Sequence, residues 1–227
     1  MKYISVAVDG PAGSGKSTIT KMVAEKLGYN YVDTGAMYRA LTYNFLNNNL
    51  KELDEKKITT LLESVDFEVK FDNKRQYVFV NKEDVSDKIR TAQVSKYTSL
   101  FAKSPAVREF LIDTQRNLAN SNNIIMDGRD IASVVLPNAD VKIFLTASVE
   151  ERARRRVLDF EKQGLVNIDF EKVKEDIKAR DWQDENRDIA PLVKVESAVL
   201  IDTTNLTIDE VVNNMTNIIK RVQLESN

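Results

Sequence analysis

The sequence predicts an α/β fold: a five-stranded parallel sheet with flanking helices, carrying a small inserted antiparallel β lobe. Three observations predict it. Five short apolar runs alternate with helical patterns along the chain, the order that yields a parallel sheet covered on both faces. A glycine-rich stretch at 10–17 joins the first run directly to the first helical pattern. One segment breaks the alternation, with apolar residues at strict period two.

The first run is Tyr3–Val8, followed by Gly10-Pro11-Ala12-Gly13-Ser14-Gly15-Lys16-Ser17 and a helix over about Lys16–Leu27. Tyr29–Val32 and a helix at about Met37–Leu46 come next. In Val65-Asp66-Phe67-Glu68-Val69-Lys70-Phe71 the apolar residues alternate; the polar turn Asp72-Asn73-Lys74-Arg75-Gln76 and then Tyr77-Val78-Phe79-Val80 complete an antiparallel hairpin. Its extent is about 63–90, inserted between the second and third core strands, so that 1–62 and 91–227 form the core. A helix over Pro105–Ala119 leads to the third strand, Ile124–Met126, and Val141–Leu145 is the fourth. Helices at Glu150–Gln163 and Phe170–Asp188 precede the fifth, Val199–Ile201. The last helix, Ile208–Leu224, shows an apolar stripe at 3.6-residue spacing: Ile208, Val211, Val212, Met215, Ile218, Ile219 and Val222. No repeat, low-complexity tract or linker composition is visible, so the insertion is expected to pack on the core.

The 227 residues suffice for one α/β domain with an insertion, and 42 % hydrophobic with 30 % charged residues is an ordinary globular mix. With 33 basic and 35 acidic residues the net charge is −2, which argues against wholesale nucleic-acid or membrane binding but permits a local basic cleft. The absence of Cys and His excludes thiol nucleophiles, Cys/His zinc sites, disulfides and histidine general-base catalysis. Lys2 precedes an apolar stretch that Asp9 cuts short, so no signal peptide is expected. No run approaches the ~18 apolar residues of a membrane span. A cytoplasmic monomer is expected.

Gly10–Ser17 reads G-x-x-x-x-G-K-S. Glycines permit a tight loop whose N–H groups turn inward around phosphate oxygens, and the helix starting near Lys16 aims its positive end at the same point. Lys16 reaches β/γ-phosphates and the Ser17 hydroxyl can ligate Mg²⁺. The loop therefore predicts binding of a nucleoside triphosphate with Mg²⁺. Asn81-Lys82-Glu83-Asp84 spells the guanine-reading N-K-x-D, yet no Asp is followed three residues later by Gly, so the D-x-x-G switch element is missing. A solvated hairpin end accounts for the tetrapeptide better.

Two further strands end in acid and arginine: Asp33-Thr34-Gly35-Ala36-Met37-Tyr38-Arg39 and Asp127-Gly128-Arg129-Asp130. Open α/β sheets bind ligands at such carboxyl ends. Asp127 is placed to orient the water shell of Mg²⁺. Arg39, Arg108, Arg129, Arg180 and Arg187 recur beside polar residues, as a phosphate acceptor would need. In Glu151-Arg152-Ala153-Arg154-Arg155-Arg156, Arg152 and Arg156 share a helix face. This run reads either as a lid carrying arginine to the phosphoryl group or as a solvated face paired with Glu150 and Glu151. Phosphoryl transfer rests on positioning and charge stabilisation. A phosphate acceptor, with a second pKa of about 6, needs no general base, which fits a chain without histidine. An alcohol acceptor would want a carboxylate base, for which Asp33 is available. A nucleotide-dependent interaction module is the remaining alternative.

The chain resembles the bacterial cytidylate kinase (CMP kinase) family over nearly its full length. The resemblance is carried by Asp9–Thr18, by D-T-G-A-M-Y-R at 33–39, by D-G-R-D at 127–130, and by Arg180-Asp181 with Asp184, Arg187 and Pro191-Leu192. It implies a P-loop nucleoside monophosphate kinase whose hairpin at 63–90 belongs to the monophosphate-binding lobe and whose helical lid spans about 150–165. The implied reaction passes the γ-phosphoryl group of ATP to CMP and dCMP, with Mg²⁺, giving ADP and CDP or dCDP in pyrimidine metabolism. ATP would lie on Gly10, Pro11, Ala12, Gly13, Ser14, Gly15, Lys16, Ser17 and Thr18, with Lys16, Arg129 and Arg187 catalytic. Ser99, Arg108 and Asp130 would contact cytosine. Arg39, Arg129 and Arg187 would hold the CMP phosphate, with Thr34 nearby, and Arg180 and Asp184 the sugar. The chemistry agrees: a carboxylate accepts from the N4 amino group, Arg and Ser donate to N3 or O2, and the O4 of uracil would face Asp130 unpaired.

Overall fold

The computed structural model describes residues 3–73, 75–162 and 164–225. Lys74, in the expected hairpin turn, and Gln163, at the expected end of a helix, lie outside the described residues. Five strands, β1 (Ser5–Asp9), β2 (Asn30–Asp33), β6 (Ile124–Gly128), β7 (Val141–Thr146) and β8 (Val199–Asp202), form one sheet in the order β2-β6-β1-β7-β8, every pairing parallel. All five expected strands are present. Their side chains alternate between two buried layers, as a sheet covered on both faces requires. Ala7, Val32, Ile124 and Met126 pack with helices α2 (Thr34–Asn47) and α5 (Pro105–Ser121). Val6, Val8, Ile125 and Ile143 pack with α1 (Lys16–Leu27) and α8 (Ile208–Glu225). The α8 stripe is buried at Val211, Val212, Met215 and Ile219, whereas Ile208 at its start is exposed.

Local chemistry sets the boundaries. Helix α1 starts at Lys16 after left-handed Gly15 and stops at left-handed Gly28. Helix α2 begins three residues earlier than the apolar spacing predicts, because the Asp33 carboxylate accepts the Ala36 N–H and caps it. Helices α6 (Val149–Lys162) and α7 (Phe170–Glu185) pack through Ala153, Val173 and Ile177. Two α-helices were not expected: α3 (Glu55–Ser64) and α4 (Ala92–Phe101). Each is ten residues with two buried apolar positions, too few to stand out by periodicity, and each is capped, by Asp54 and Thr91. The expected two-stranded hairpin is a three-stranded antiparallel sheet, β3 (Phe67–Asp72), β4 (Arg75–Val80) and β5 (Glu83–Asp84). Asn81 and Lys82 turn with positive φ into the exposed edge strand Glu83–Asp84, so the N-K-x-D tetrapeptide is a solvated hairpin end. Val78, Val80, Val85 and Ile89 seat this lobe on Ala36 and Ala40 of α2. No helix among the described residues is long and apolar enough to cross a membrane.

Candidate active site

The glycine loop closes at the carboxyl end of β1. Gly10 adopts φ +150° with its α-carbon against β7; a β-carbon there would lie 1.9 Å from the Leu145 carbonyl oxygen. Lys16 is buried, and its Nζ donates to the carbonyls of Gly10 (2.6 Å) and Pro11 (2.7 Å) and to Ser14 Oγ (3.3 Å). Burial, helped by nearby Arg129, lowers the Lys16 pKa well below that of a free lysine. Thr18 sits exposed on the first turn of α1.

Parallel register brings three strand ends together: Val8 and Asp33 both pair with Asp127. Ser17 Oγ donates to Asp127 Oδ2 at 2.7 Å and the Tyr31 hydroxyl to Oδ1 at 3.1 Å. Burial and the Asp33 carboxylate push the Asp127 carboxyl up to about 6, against the pull of Lys16. Thr34 Oγ1 donates to the Asp127 carbonyl at 2.7 Å, and Asp33 pairs with Arg39 at 2.8 Å.

Beyond these acids lies one cleft. All nine residues expected at the acceptor nucleotide line it: Thr34, Arg39, Ser99, Arg108, Arg129, Asp130, Arg180, Asp184 and Arg187. They come from α2, α4, α5, the end of β6 and α7 with the segment after it. At one end Arg108 and Asp130 form an ion pair, with side chains only 4 % and 8 % exposed. Arg187 Nη2 stands 3.7 Å from the other Asp130 oxygen. Arg129 Nε donates to Asp184 at 2.7 Å. Arg180 is exposed at the cleft wall and makes no side-chain hydrogen bond or ion pair among the described residues. Tyr38 lies under Arg108, its ring centroid 6.0 Å from the guanidinium carbon, and burial pushes its hydroxyl up to about 12.

Several contributors escape a sequence reading. Asp9 is buried and accepts the N–H groups of Ile131 and Ala132, both at 2.8 Å, one on each carboxylate oxygen. It thereby fixes the π-helical turn Ile131–Val135 that directly follows Asp130. Burial raises its pKa to about 6 in spite of those two donors. Its place in the D-G-P-A-G-S-G-K-S run was the only signal. Tyr31 looks like an ordinary strand residue until its hydroxyl is seen on Asp127. Within the arginine run, buried Arg152 donates to Ala12 and Ala147 carbonyls and pairs with Asp181 at 2.7 Å. Arg155 reaches the Ser14 and Thr203 carbonyls. The two that grip the loop are thus three apart, while Arg156, on the Arg152 face, is exposed and stacks on Phe160.

A phosphate-type loop at a helix N-terminus, facing a cleft of paired arginines and carboxylates, defines a phosphotransferase of the P-loop kinase class. The cytidylate kinase family model matches residues 6–221. Proteins named cytidylate kinase from Caldicellulosiruptor bescii and Bacillus subtilis are 48 % and 49 % identical to this chain. The alignments cover 98 % of both chains in the first case, and 92 % of this chain and 93 % of the relative in the second. The chain belongs to the cytidylate kinase family and is a nucleotide kinase. A crystal structure of an uncharacterized protein from Eubacterium ventriosum shares the fold, at TM-score 0.54 and 12 % identity, covering 96 % of this chain and 98 % of that one.

Proposed function

We propose that the protein transfers the γ-phosphoryl group of ATP to CMP and dCMP, working as a cytoplasmic monomer. The observation that carries the reading is the buried Arg108–Asp130 pair beside Ser99, in the same cleft as Arg39, Arg129 and Arg187. The Asp130 carboxylate has lone pairs left to accept the N4 amino group of cytosine, while Arg108 and Ser99 donate to N3 and O2. Uracil would set its O4 against the carboxylate.

Arg39, Arg129 and Arg187 take the acceptor phosphate, and Arg180 with Asp184 the sugar. Arg180, exposed at the cleft wall and without a side-chain partner among the described residues, has all its donors available to sugar hydroxyls. The loop N–H groups, Lys16 and the α6 arginines take the β- and γ-phosphates. An acceptor phosphate oxygen then forms the new bond to the γ-phosphorus as the bond to the β-bridging oxygen breaks, and ADP leaves with that electron pair. No protein base is needed, since the acceptor is already ionised near neutral pH. Ser17 and Asp127 are hard oxygen donors and fit Mg²⁺ with part of its water shell; when bound, it neutralises β/γ-oxygen charge. Residues 63–90 act as the monophosphate-binding lobe and about 150–165 as the lid.

The test is a panel of CMP, dCMP, UMP and AMP with ATP and Mg²⁺, read as ADP release. CMP and dCMP should exceed the others in kcat/KM. Failure of CMP to outperform UMP and AMP would sink the assignment.

A further inference from the structure

The β3–β5 lobe touches the parallel sheet through one side chain in an unusual way. Strand β2 is the edge of the five-stranded sheet, so one side of its backbone lacks a partner strand. At its last residue, Gln76 of β4 fills that role. Gln76 Oε1 accepts the Asp33 N–H at 2.7 Å, and Gln76 Nε2 donates to the Asp33 carbonyl at 3.3 Å. A primary amide presents an acceptor and a donor side by side, as a neighbouring strand's peptide groups would. The clasped residue is not an ordinary one. Asp33 caps α2 through Ala36, and its other oxygen holds Arg39. Gly35 leaves the space for this: a β-carbon there would lie 2.9 Å from Arg39 Nη1 and 3.1 Å from Asp33 Oδ1.

We infer that Gln76 is a positioning residue for the acceptor phosphate. It fixes the Asp33 peptide, so that the Asp33 carboxylate aims Arg39 into the cleft, and it makes the inserted lobe part of the phosphate site. The inference rests on the reading of the cleft as a nucleotide acceptor site. Gln76 touches no reacting atom in this arrangement; it acts through Asp33 and Arg39. Its removal therefore lowers affinity for the phosphate end of the acceptor and leaves base choice alone.

The experiment is a double-mutant cycle of Gln76→Met and Arg39→Met, with CMP and UMP kinetics and thermal melting of each protein. Methionine keeps the length and packing of Gln76 but cannot make either hydrogen bond. Wild-type turnover of CMP first tests the underlying reading, independently of Gln76. With that in hand, Q76M should raise the KM for CMP about fivefold, the scale of one or two net hydrogen bonds. It should change kcat and the CMP/UMP preference little, and its effect should vanish in the R39M background. An unchanged KM overturns the inference, as does an equal effect in both backgrounds. A fall in melting temperature without a change in KM makes the contact merely structural and also overturns it.

Discussion

Replacing Asp130 by Asn alters only the charge and one donor atom at the end of the cleft proposed to read the base. Its consequence can be worked from the structure. The carboxylate is 8 % exposed, paired with Arg108 and 3.7 Å from Arg187. On the proposed reading the cytosine N4 amino group finds a charged acceptor in the wild type, and such bonds are worth about 1.5–3 kcal/mol. The Asn amide can instead donate to uracil O4, a neutral bond worth about 1 kcal/mol. The two changes sum to about 2.5–4 kcal/mol in the CMP/UMP ratio of kcat/KM, a fall of roughly a hundredfold to several hundredfold. Two buried guanidinium groups also lose their anion. That costs about 3 kcal/mol, a drop of roughly 6–12 °C in melting temperature at this chain length. Steady-state ADP release with each monophosphate, alongside calorimetric melting, reads both effects. A D130N protein that melts lower yet keeps its CMP/UMP ratio would show that Asp130 only holds Arg108, and the base-reading argument would fall.

Two other outcomes follow from buried groups. The Asp127 carboxyl titrates at about 6 in the fold against 3.8 when free, so the folded state binds this proton more tightly and stability falls as pH rises from about 4 to 6. Asp127→Asn removes that loss. Urea denaturation should show the variant gaining on the wild type by up to about 3 kcal/mol across this window and no further above it; a pH-independent difference would contradict the burial argument. Gly10→Ala, whose β-carbon would strike the Leu145 carbonyl, should lose several kcal/mol, whereas Gly28→Ala, also at positive φ but in open space, should lose only about 1 kcal/mol. Equal melting temperatures for the two variants would refute this.

Much of the fold is legible because its signals are local. The five strands are short apolar runs, and α1 is bracketed by glycines that must adopt left-handed conformations. The start of α2 was misread because Asp33 was weighed as a functional acid, while its carboxylate is also a helix cap. Helices α3 and α4 were missed because each buries only two apolar side chains. The third strand of the lobe is two exposed acidic residues, held by backbone pairing with β4 rather than by burial, so composition argues against it.

The site divides along the same line. Gly10–Ser17 is a continuous strand–loop–helix, and its phosphate-binding geometry depends on residues within a few positions of one another. The sequence by itself therefore determined the loop, the acid-and-arginine strand ends and, through the family motifs, the candidate acceptor residues. Tertiary structure alone decided which side chains meet. It joined Arg108 to Asp130, Arg129 to Asp184 and Arg152 to the loop, set Tyr31 on Asp127, and closed Gln76 on Asp33. Those pairs depend on parallel register and crossover connections, which bring together residues distant along the chain, and no spacing in the sequence encodes that distance.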